Sequence, residues 1–494
     1  MFDWLDRLLD RVTMYRLLLY YLIALVLIAA GLSAWGYLHF SPIAIIFSAC
    51  YLVTVCWISN KVFSYVYDAP TNSESSLITA LILALIIVPP TKDIGSLLFL
   101  TAAGGLAIAS KYMLAWNRKH IFNPAAIAVV LTSLGGGQSA TWWVGTGMML
   151  PFVLVGGLML TRRIRRFQMV GTFVIVSYLI AIGFTLASHG SVTTTLHQIT
   201  LSSSLFFLAF VMLTEPLTSP SQVGKQRWYA GLVGALFPPQ VHIGSLATTP
   251  EIALAIGNVF SEIVSPKVKL FPELTQKIRQ APKIADFIFE PDAEFSYKPG
   301  QYMEWTLPHY DTDSRGDRRY FTLASSPTEP EIRLGVKFYK GSSSYKKALW
   351  DMDRDDIIVA SQLGGDFVMP DDTDRKLAFI AGGIGVTPYR SMLKYLVDTD
   401  ERRDIAMLYG ASSEEEIVYK DVMEAARRKL GADITYCVNH RITTDTIRHH
   451  IPDYKDRLFY VSGSHDMVVA IRSALHELGV NRRNIKLDFF SGYS

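Results

Sequence analysis

The chain has 494 residues, of which 50% are hydrophobic and only 18% are charged, and its mean hydropathy is +0.24. A soluble enzyme would be more polar, so this composition excludes an ordinary soluble protein and predicts a membrane protein. The formal net charge of +3 is small, and we expect no nucleic-acid partner.

The apolar residues are unevenly distributed along the chain. The long apolar runs lie in the first half, whereas the remainder is rich in Lys, Arg, Asp and Glu. Because a transmembrane helix needs about 20 residues, we predict a polytopic α-helical membrane domain over residues 1–265 with about ten spans. The spans are placed near residues 16–38, 42–60, 76–90, 95–112, 121–134, 142–161, 168–187, 199–213, 229–243 and 250–264.

The connections between these spans alternate in charge. One set is basic, and the other contains little beyond Lys92. Because basic loops stay on the cytoplasmic side, we expect a multi-pass protein of the cell inner (plasma) membrane, surrounded by membrane lipid, with a cytoplasmic C-terminal domain. The basic set consists of Arg7, Arg11, Arg16, Lys61, Lys111, Arg118, Lys119, Arg162, Arg163, Arg165, Arg166, Lys225 and Arg227.

Three acidic residues, Glu74, Glu215 and Glu251, lie at polar or Pro-rich interruptions of the apolar segments. A carboxylate within a bilayer is costly unless it faces protein, water or an ion. The pattern therefore indicates either an ion or proton pathway or carboxylates that cap helix N-termini, where the helix dipole favours negative charge.

Three short runs in the membrane domain, Glu74–Thr79, Phe122–Ala125 and Thr214–Ser219, resemble one family of membrane proteins. This family holds the B subunit of Na+-translocating NADH:quinone oxidoreductase and the D subunit of the Rnf complex. The resemblance implies a ten-helix fold that holds flavin and works in electron transfer coupled to membrane energetics.

Members of that family commonly carry FMN esterified to a threonine in the pattern Asp-Gly-x-x-Ser-Gly-Ala-Thr. The nearest match here, residues 134–141, keeps a Gly, the Ala and the Thr, but it lacks the Asp, and Gln138 and Ser139 replace the Ser-Gly pair. The resemblance makes covalent attachment of FMN at Thr141 a hypothesis. The alternative is a small-residue turn before an interfacial anchor at Trp142 and Trp143.

The soluble part contains residues suited to a flavin. The run Arg319-Tyr320-Phe321-Thr322 predicts a strand that opens into a polar turn. An Arg can pair with a diphosphate, an aromatic ring can cover an isoalloxazine ring, and a Thr hydroxyl can meet its N5 edge. The order resembles the Arg-x-Tyr-Ser/Thr motif of the ferredoxin reductase superfamily, with Phe321 where Tyr is usual. The resemblance implies FAD contacts from all four residues and a catalytic role for Thr322.

A second segment, Gly341 to Lys346, loosely matches the pyrophosphate-binding run of the same superfamily. Backbone N–H groups and hydroxyls can cradle a phosphate there without bulky side chains. The resemblance implies FAD contacts from Gly341, Ser343 and Ser344. It also implies an antiparallel β-barrel FAD domain over residues 266–372.

An apolar run, residues 377–381, precedes a glycine-rich turn. Bare backbone in such a turn lets a pyrophosphate approach the N-terminus of the following helix. The turn matches the superfamily's Gly-Gly-x-Gly-x-Thr-Pro pattern residue by residue, which implies an α/β Rossmann-like NAD(P)-binding domain over residues 373–494. The implied cofactor-binding residues are Gly382, Gly383, Gly385, Thr387 and Pro388.

Two later segments also resemble this superfamily. Ser462 and Gly463 match the nicotinamide-side Cys-Gly motif, with Ser462 where many members have Cys, and Gly463 would contact the cofactor. The aromatic ending Asp488–Tyr493 is similar to the one that lies near the flavin, which implies a catalytic role for Phe490.

Cofactor preference follows from an acidic segment that stands where the superfamily meets the adenosine ribose. Glu414, Glu415 and Glu416 lie there without a nearby Arg. Because carboxylates repel a 2'-phosphate, we predict NADH as the substrate, with NADPH as the less favoured choice. The alternative is that these glutamates only begin a helix.

Together these patterns predict a transmembrane NAD(P)H-dependent flavoprotein. Hydride would pass from NADH to FAD on the cytoplasmic side, and electrons would continue, with FMN as a membrane carrier, to a quinone or an extracytoplasmic acceptor. Ion coupling and a partner flavoprotein subunit remain open.

Two other functions compete with this prediction. A haem-type ferric reductase or NADPH oxidase needs paired histidines within membrane helices, whereas the histidines of the first half lie at predicted loops or span ends. A transporter with a redox-sensing domain is the other alternative. The chain contains 3 Cys residues, too few for a four-thiolate iron–sulfur cluster, and we predict no metal site.

Overall fold

The computed structural model describes residues 9, 12–67, 73–90, 93–136, 139–244, 246–313 and 315–490. The chain divides into two compact units, Met1–Lys267 and Val268–Ser494. The first unit is helical, and the second combines antiparallel sheets with a parallel α/β sheet.

The first unit consists of helices joined by short connections and two small hairpins. Its helices are α1 (Met14–Ala34), α2 (Pro42–Val66), α3 (Ser73–Ile86), α4 (Ile94–Met113), α5 (Pro124–Gly136), α6 (Leu150–Ile164), α7 (Phe167–Ala187), α8 (Val192–Leu201), α9 (Leu205–Phe207, continued by a π-helical turn, Leu208–Met212), α10 (Val223–Leu236) and α11 (Pro250–Val264). The hairpins pair β1 (Ala115–Trp116) with β2 (Lys119–His120) and β3 (His242–Ile243) with β4 (Leu246–Ala247).

The prediction of ten membrane spans is not supported. Within the described residues, α1, α2, α4 and α7 are long and apolar enough to cross a bilayer, and α8 with the segment Leu205–Met212 forms a pair bent by 53° that would make a fifth span. These helices are compatible with a membrane anchor.

Proline shortens the other helices. α3 ends before Pro89 and Pro90, α10 ends before Pro238, and α5 and α11 begin at Pro124 and Pro250. Proline lacks a backbone N–H and disfavours helical geometry in the residue before it. Helices of 14 or 15 residues rise only about 21–23 Å, which is less than the hydrocarbon thickness of about 30 Å.

The second unit begins with a six-stranded barrel. Two antiparallel sheets have the orders β5-β6-β9 and β10-β7-β8. They join at one edge through bridges from Leu270 to Ala360 and from Glu273 to Ile357, and at the other through the Ala324 N–H, which donates to the Arg333 carbonyl at 2.9 Å. The strands are β5 (Glu273–Ala281), β6 (Ile284–Glu290), β7 (Tyr302–Thr306), β8 (Arg318–Thr322), β9 (Ile332–Lys337) and β10 (Val359–Gly364), and α12 (Ser344–Asp351) follows β9.

A five-stranded parallel sheet follows, with the order β13-β12-β11-β14-β15. The apolar strands β11 and β14 lie at its centre and are buried, as expected for a sheet covered on both faces. Its strands are β11 (Leu377–Gly382), β12 (Ile405–Ala411), β13 (Asp433–Val438), β14 (Leu458–Ser464) and β15 (Ile485–Phe490), and its helices are α13 (Thr387–Thr399), α14 (Lys420–Leu430), α15 (Thr444–His450) and α16 (His465–Glu477). This doubly wound arrangement matches the expected Rossmann-like domain.

Candidate functional site

The strand order of the parallel sheet reverses between β11 and β14. From β11 the chain proceeds outward through β12 and β13, and it then returns to add β14 and β15 on the opposite side. In open α/β sheets, ligands bind outside the carboxyl ends of the strands at this reversal. The expected nucleotide turn, residues 382–388, follows β11 at this point, and Gly463 lies near the end of β14.

The turn after β11 packs directly on the backbone at the end of β14. A Cβ placed on Gly385 would lie 2.6 Å from the Gly463 Cα and 2.6 Å from the Ser462 carbonyl oxygen. Gly383 has a φ of +54°, a left-handed conformation that glycine adopts without steric cost. The structure thus brings Gly385 and Gly463 together, and only bare backbone permits so close an approach, whereas Gly383 has open space where a Cβ would lie.

Hydrogen bonds hold the two central strands at this point. The Tyr389 hydroxyl donates to the Ile380 carbonyl at 3.0 Å and to the Tyr460 carbonyl at 2.8 Å. The buried hydroxyl of Ser462 makes no hydrogen bond within the described residues. A buried hydroxyl without a partner is costly, so this group fits a site that receives a polar ligand.

Strand β8 divides the expected flavin motif between two faces. Arg319 pairs with Trp305 across the sheet, and Trp305 lies in the barrel core, so Arg319 and Phe321 face inward. Tyr320 and Thr322 face outward, and 43% of the Tyr320 side chain is exposed. The outward aromatic ring is therefore Tyr320 rather than Phe321, which packs against the core.

A polar network lies beside Tyr320 on the outward face. Its hydroxyl donates to Gln362 Oε1 at 3.1 Å, and Gln362 Nε2 donates to Glu304 Oε1 at 2.8 Å. Arg318 Nη1 lies 3.6 Å from the same carboxyl oxygen. Burial raises the pKa of Glu304 above its usual range, although the positive charge of Arg318 opposes this shift.

Replacing Glu304 with Gln should stabilise the protein more at pH 8 than at pH 5. Because the folded-state pKa is raised, the folded chain retains a proton that the unfolded chain releases, and stability falls as the pH rises through the folded pKa. Removal of this buried charge should raise the free energy of unfolding by about 1–3 kcal/mol at pH 8. Thermal unfolding of the detergent-solubilised chain at both pH values tests this, with the exposed Glu290→Gln as the matched control. An equal change at both pH values would contradict it.

The carboxylate of Asp313 lies at the N-terminus of α12. The Ser344 N–H donates to Asp313 Oδ2 at 3.1 Å, and Arg315 Nη2 lies 2.8 Å from the same oxygen. Arg319 is buried, donates to three backbone carbonyls within residues 315–318, and approaches the Asp313 carboxylate to 3.8 Å. The donors at this corner already hold a carboxylate, so they fit an anionic group such as a diphosphate.

The remaining expected phosphate residues lie around the same helix start. The Ser343 Oγ caps α12 by accepting from the Lys346 N–H at 3.4 Å, and the Ser344 Oγ lies 2.9 Å from His309 Nε2. Gly341 has a φ of +88° with open space where a Cβ would lie. The structure therefore brings Arg319, Ser343 and Ser344 to one corner, together with Asp313 and Arg315, which the sequence had not singled out.

Helix α13 connects the glycine turn after β11 to the segment that follows β8. Arg390 pairs with Glu329 through two hydrogen bonds of 2.7 and 2.9 Å, and it also donates to the Ala324 carbonyl at 2.7 Å. The Ser391 Oγ donates to the Ser325 carbonyl at 2.6 Å. Because Ala324 and Ser325 lie shortly after β8, separated from it by Leu323, these contacts set the position of the turn relative to the barrel.

A second set of contacts joins β6 and β9 to the parallel sheet domain. The Tyr419 hydroxyl donates to the buried Asp286 at 2.6 Å, and Arg333 pairs with Asp286 at 2.8 Å. Lys337 pairs with Glu416 at 2.9 Å. Glu416 is therefore engaged with the barrel, whereas Glu414 and Glu415 remain exposed.

Two other expected site residues lie elsewhere or outside the described side chains. Thr141 belongs to the helical unit, where its side chain is exposed and its N–H donates to the Ile86 carbonyl at 2.9 Å. Part of the motif-like run before it, residues 137 and 138, is outside the described residues. The backbone of Phe490 pairs with Ser464 at the ligand-binding end of the sheet, but its side chain is not among those described.

The three acidic residues of the helical unit have protein partners. Glu215 accepts from Asn123 Nδ2 at 2.8 Å, Glu251 accepts from Trp142 Nε1 at 3.0 Å, and Glu74 pairs with Arg16 at 2.9 Å. Across the part of the chain that the structure describes, no group of three or more His, Cys, Asp or Glu side chains is arranged to hold a metal ion.

Residues 379–473 match the family model of the oxidoreductase NAD-binding domain. The chain is 24% identical over 239 residues to a flavohemoprotein of Oceanobacillus iheyensis, a match that covers 44% of this chain and 58% of that protein. It is 26% identical over 227 residues to the oxidoreductase NAD-binding domain-containing protein 1 of Bos taurus, covering 39% of this chain and 71% of that protein.

Two solved structures are also similar to this chain. The flavohem-like FAD/NAD-binding domain of nitric oxide dioxygenase from Vibrio cholerae has 18% identity and a TM-score of 0.40, and the match covers 45% of this chain and 98% of that one. Ferredoxin-NADP+ reductase from Plasmodium falciparum has 18% identity and a TM-score of 0.39, with 45% of this chain and 96% of that chain covered.

The family match coincides with the strand reversal described above, since residues 379–473 include the glycine turn and Gly463. The parallel sheet and the family match support an oxidoreductase NAD-binding domain in the C-terminal part of the chain. The family match lies in this C-terminal part of the chain.

Proposed function

We propose that this chain is a membrane-bound oxidoreductase that takes hydride from NADH onto FAD in its C-terminal unit and transfers electrons to its helical unit. The observation that carries the proposal is the close packing of Gly385 on Gly463 at the strand reversal. Bound FAD would supply the chemistry, because it accepts a hydride and can release single electrons. The protein's residues bind and orient the two cofactors.

The nucleotide would lie on the turn between β11 and α13. Gly383 leaves its backbone uncovered, whereas Gly382 and Gly385 admit their close neighbours Met467 and Gly463. Thr387 and Pro388 begin the helix whose N-terminal N–H groups favour a pyrophosphate. Beside them, the Ser462 hydroxyl offers a polar group to the nicotinamide side. Gly463 allows the cofactor to approach the end of β14.

The flavin would use both faces of β8. On the outward face, the half-exposed Tyr320 ring can cover the isoalloxazine ring, with Thr322 next to it. At the end of the barrel, Arg319 and the N-terminus of α12 would bind the diphosphate of FAD. The diphosphate would take the place that the Asp313 carboxylate occupies there. Phe490, at the end of β15, remains a candidate for the opposite side of the ring.

In this proposal, the electrons pass from FAD to a carrier in the helical unit. The likeness to flavin-bearing membrane subunits supports an FMN carrier, with the exposed Thr141 as its hypothetical attachment site, and a quinone or an extracytoplasmic acceptor. The basic loops support a cytoplasmic C-terminal unit in the inner membrane. Transport of Na+ or H+ and a partner flavoprotein subunit would extend this scheme.

Flavin extraction combined with NADH titration of the purified full chain tests the proposal. One FAD per chain that NADH reduces would support a relay that needs a partner subunit. FAD together with FMN would support a path within this chain, and the mass of the Thr141 peptide would then report covalent attachment. A purified chain that binds no FAD and oxidises no NADH would contradict the proposed function.

We expect kcat/KM for NADH to exceed that for NADPH by about tenfold, which corresponds to about 1.4 kcal/mol. The exposed carboxylates of Glu414 and Glu415 would repel the 2'-phosphate. The variant E414Q/E415Q should reduce the ratio, whereas E424Q/E477Q, which removes two charges elsewhere in the same domain, should not. Equal or higher kcat/KM for NADPH in the unaltered chain would overturn this expectation.

A further inference from the structure

A separate pocket lies at the free edge of the parallel sheet. β15 is the last strand of that sheet, and the pocket lies between it and α16 with a volume of 430 Å³. We call it the edge pocket. It is lined by Arg472, Ser473, His476, Arg482, Ile485 and Leu487.

The edge pocket is distinct from the nucleotide turn. Gly463 pairs with Phe489 at the carboxyl end of β15, whereas the pocket uses the amino half of the strand, from Ile485. At about 3.3 Å per residue, Ile485 and Phe489 are about 13 Å apart along the strand. Arg482 lies still further away, in the turn before β15.

The basic side chains of the edge pocket have no counter-charge. Within the described residues, Arg472, His476 and Arg482 make no ion pair and donate no side-chain hydrogen bond, and all three are exposed. By contrast, Arg457 in the same domain pairs with Asp404 at 2.8 Å and with Asp453 at 2.5 Å. The edge pocket therefore concentrates positive charge that the fold itself does not neutralise.

The arrangement of the basic side chains indicates which class of ligand the edge pocket would bind. Arg472 and His476 are four residues apart on α16, so they lie on one face of the helix, and Arg482 approaches from the turn. Guanidinium groups bind phosphate oxygens with two parallel hydrogen bonds. The partly buried Ile485 and Leu487 add an apolar surface.

We propose that the edge pocket is a second anion site that binds a small phosphate-bearing ligand. The volume of 430 Å³ lies within the range of about 300–1,000 Å³ that small-molecule sites occupy. A phosphate ester group would sit between Arg472 and Arg482, and the apolar part of the ligand would contact the side chains of β15. The phosphate could come from a free metabolite or from the headgroup of an anionic phospholipid.

Isothermal titration of the full chain in neutral detergent tests this proposal. The chain is saturated with FAD and NAD+ so that the nucleotide turn is filled, and it is then titrated with glycerol 3-phosphate or with short-chain phosphatidylglycerol. Short-chain phosphatidylcholine, whose headgroup carries no net charge, serves as the lipid control. The variant R472A/R482A should bind the phosphate probe at least tenfold more weakly.

The matched control is R402A/R428A, which removes two exposed arginines of the same domain that lie outside the edge pocket. Binding of glycerol 3-phosphate that depends on Arg472 and Arg482 supports the site and identifies a free ester as sufficient. Arginine-dependent binding of phosphatidylglycerol alone supports it with a lipid headgroup as the source. Binding of neither probe, or equal weakening in both double variants, would overturn the proposal.

Discussion

Gly385→Ala is expected to lower kcat/KM for NADH by about 100-fold while leaving FAD in the protein. A Cβ at this position would lie 2.6 Å from the Gly463 Cα and 2.7 Å from the Gly463 nitrogen. Both atoms belong to the backbone of the central strand β14 and cannot move aside as a flexible side chain would. The turn must shift instead, and a displacement of about 1 Å at a reacting centre can cost 100-fold in rate.

Stopped-flow reduction of the flavin by NADH measures this effect directly. Gly383→Ala is the matched comparison, since it adds a methyl group to the same turn where no atom lies within 4 Å. That variant should lose about 1 kcal/mol of stability through its left-handed φ, but the turn should remain packed on β14. Wild-type kcat/KM for NADH in the Gly385→Ala protein would show that the close approach has no role in binding.

Arg390→Ala is expected to destabilise the C-terminal unit by about 1.5–3 kcal/mol, because it removes a buried guanidinium and its hydrogen bonds to a partly buried carboxylate. The Arg390 side chain is only 5% exposed, and its loss removes a donor from the Ala324 carbonyl and leaves Glu329 with the Ser326 N–H. The flavin should be released at a lower temperature. Hydride transfer should also slow, because the contact that positions the nucleotide turn against β8 is lost.

Flavin fluorescence during heating of the detergent-solubilised chain reports the stability change. Arg427→Ala is the control, since Arg427 also pairs with a glutamate one helical turn away, but both side chains are more than one third exposed. That variant should change stability by less than about 1 kcal/mol. Similar losses in the two variants would show that burial of the Arg390 pair is not important.

The effect of Arg390→Ala should also depend on pH. Burial alone would raise the pKa of Glu329, but the hydrogen bonds and charge of Arg390 outweigh it and lower the pKa. A carboxyl group with a lowered pKa stabilises the folded state above its unfolded pKa, and this contribution is lost as the pH falls through the folded pKa. The difference in unfolding free energy between Arg390→Ala and the unaltered chain should therefore become smaller at acidic pH.

The sequence alone was sufficient to predict the strand, the glycine turn and the helix over residues 377–388. Apolar residues before Gly382 predict a buried strand, and the run from Gly382 to Pro388 predicts the turn and helix that follow, because each residue's role is local. The hydrophobic pattern, which is also a local property, distinguished an apolar first half of the chain from a charged second half. The family match over residues 379–473 confirms the oxidoreductase NAD-binding domain.

The count of membrane spans could not be read from hydropathy. An apolar run such as residues 76–90 has the composition of a span, but Pro89 and Pro90 end its helix early, and composition does not reveal helix length. Within the part of the chain that the structure describes, four or five helices are candidate spans, and ten are not supported.

Only the tertiary structure decided which side chains meet. Pairing of Arg319 with Trp305 turns Arg319 and Phe321 inward and leaves Tyr320 outward, a choice that depends on the barrel's closure and not on the motif. Gly385 and Gly463 come together through the order of the parallel strands. Arg390 and Glu329 meet because α13 packs against the connection between β8 and β9. Local sequence determines turns and strands because their energetics are local, whereas strand faces and long-range pairs depend on how the whole sheet packs.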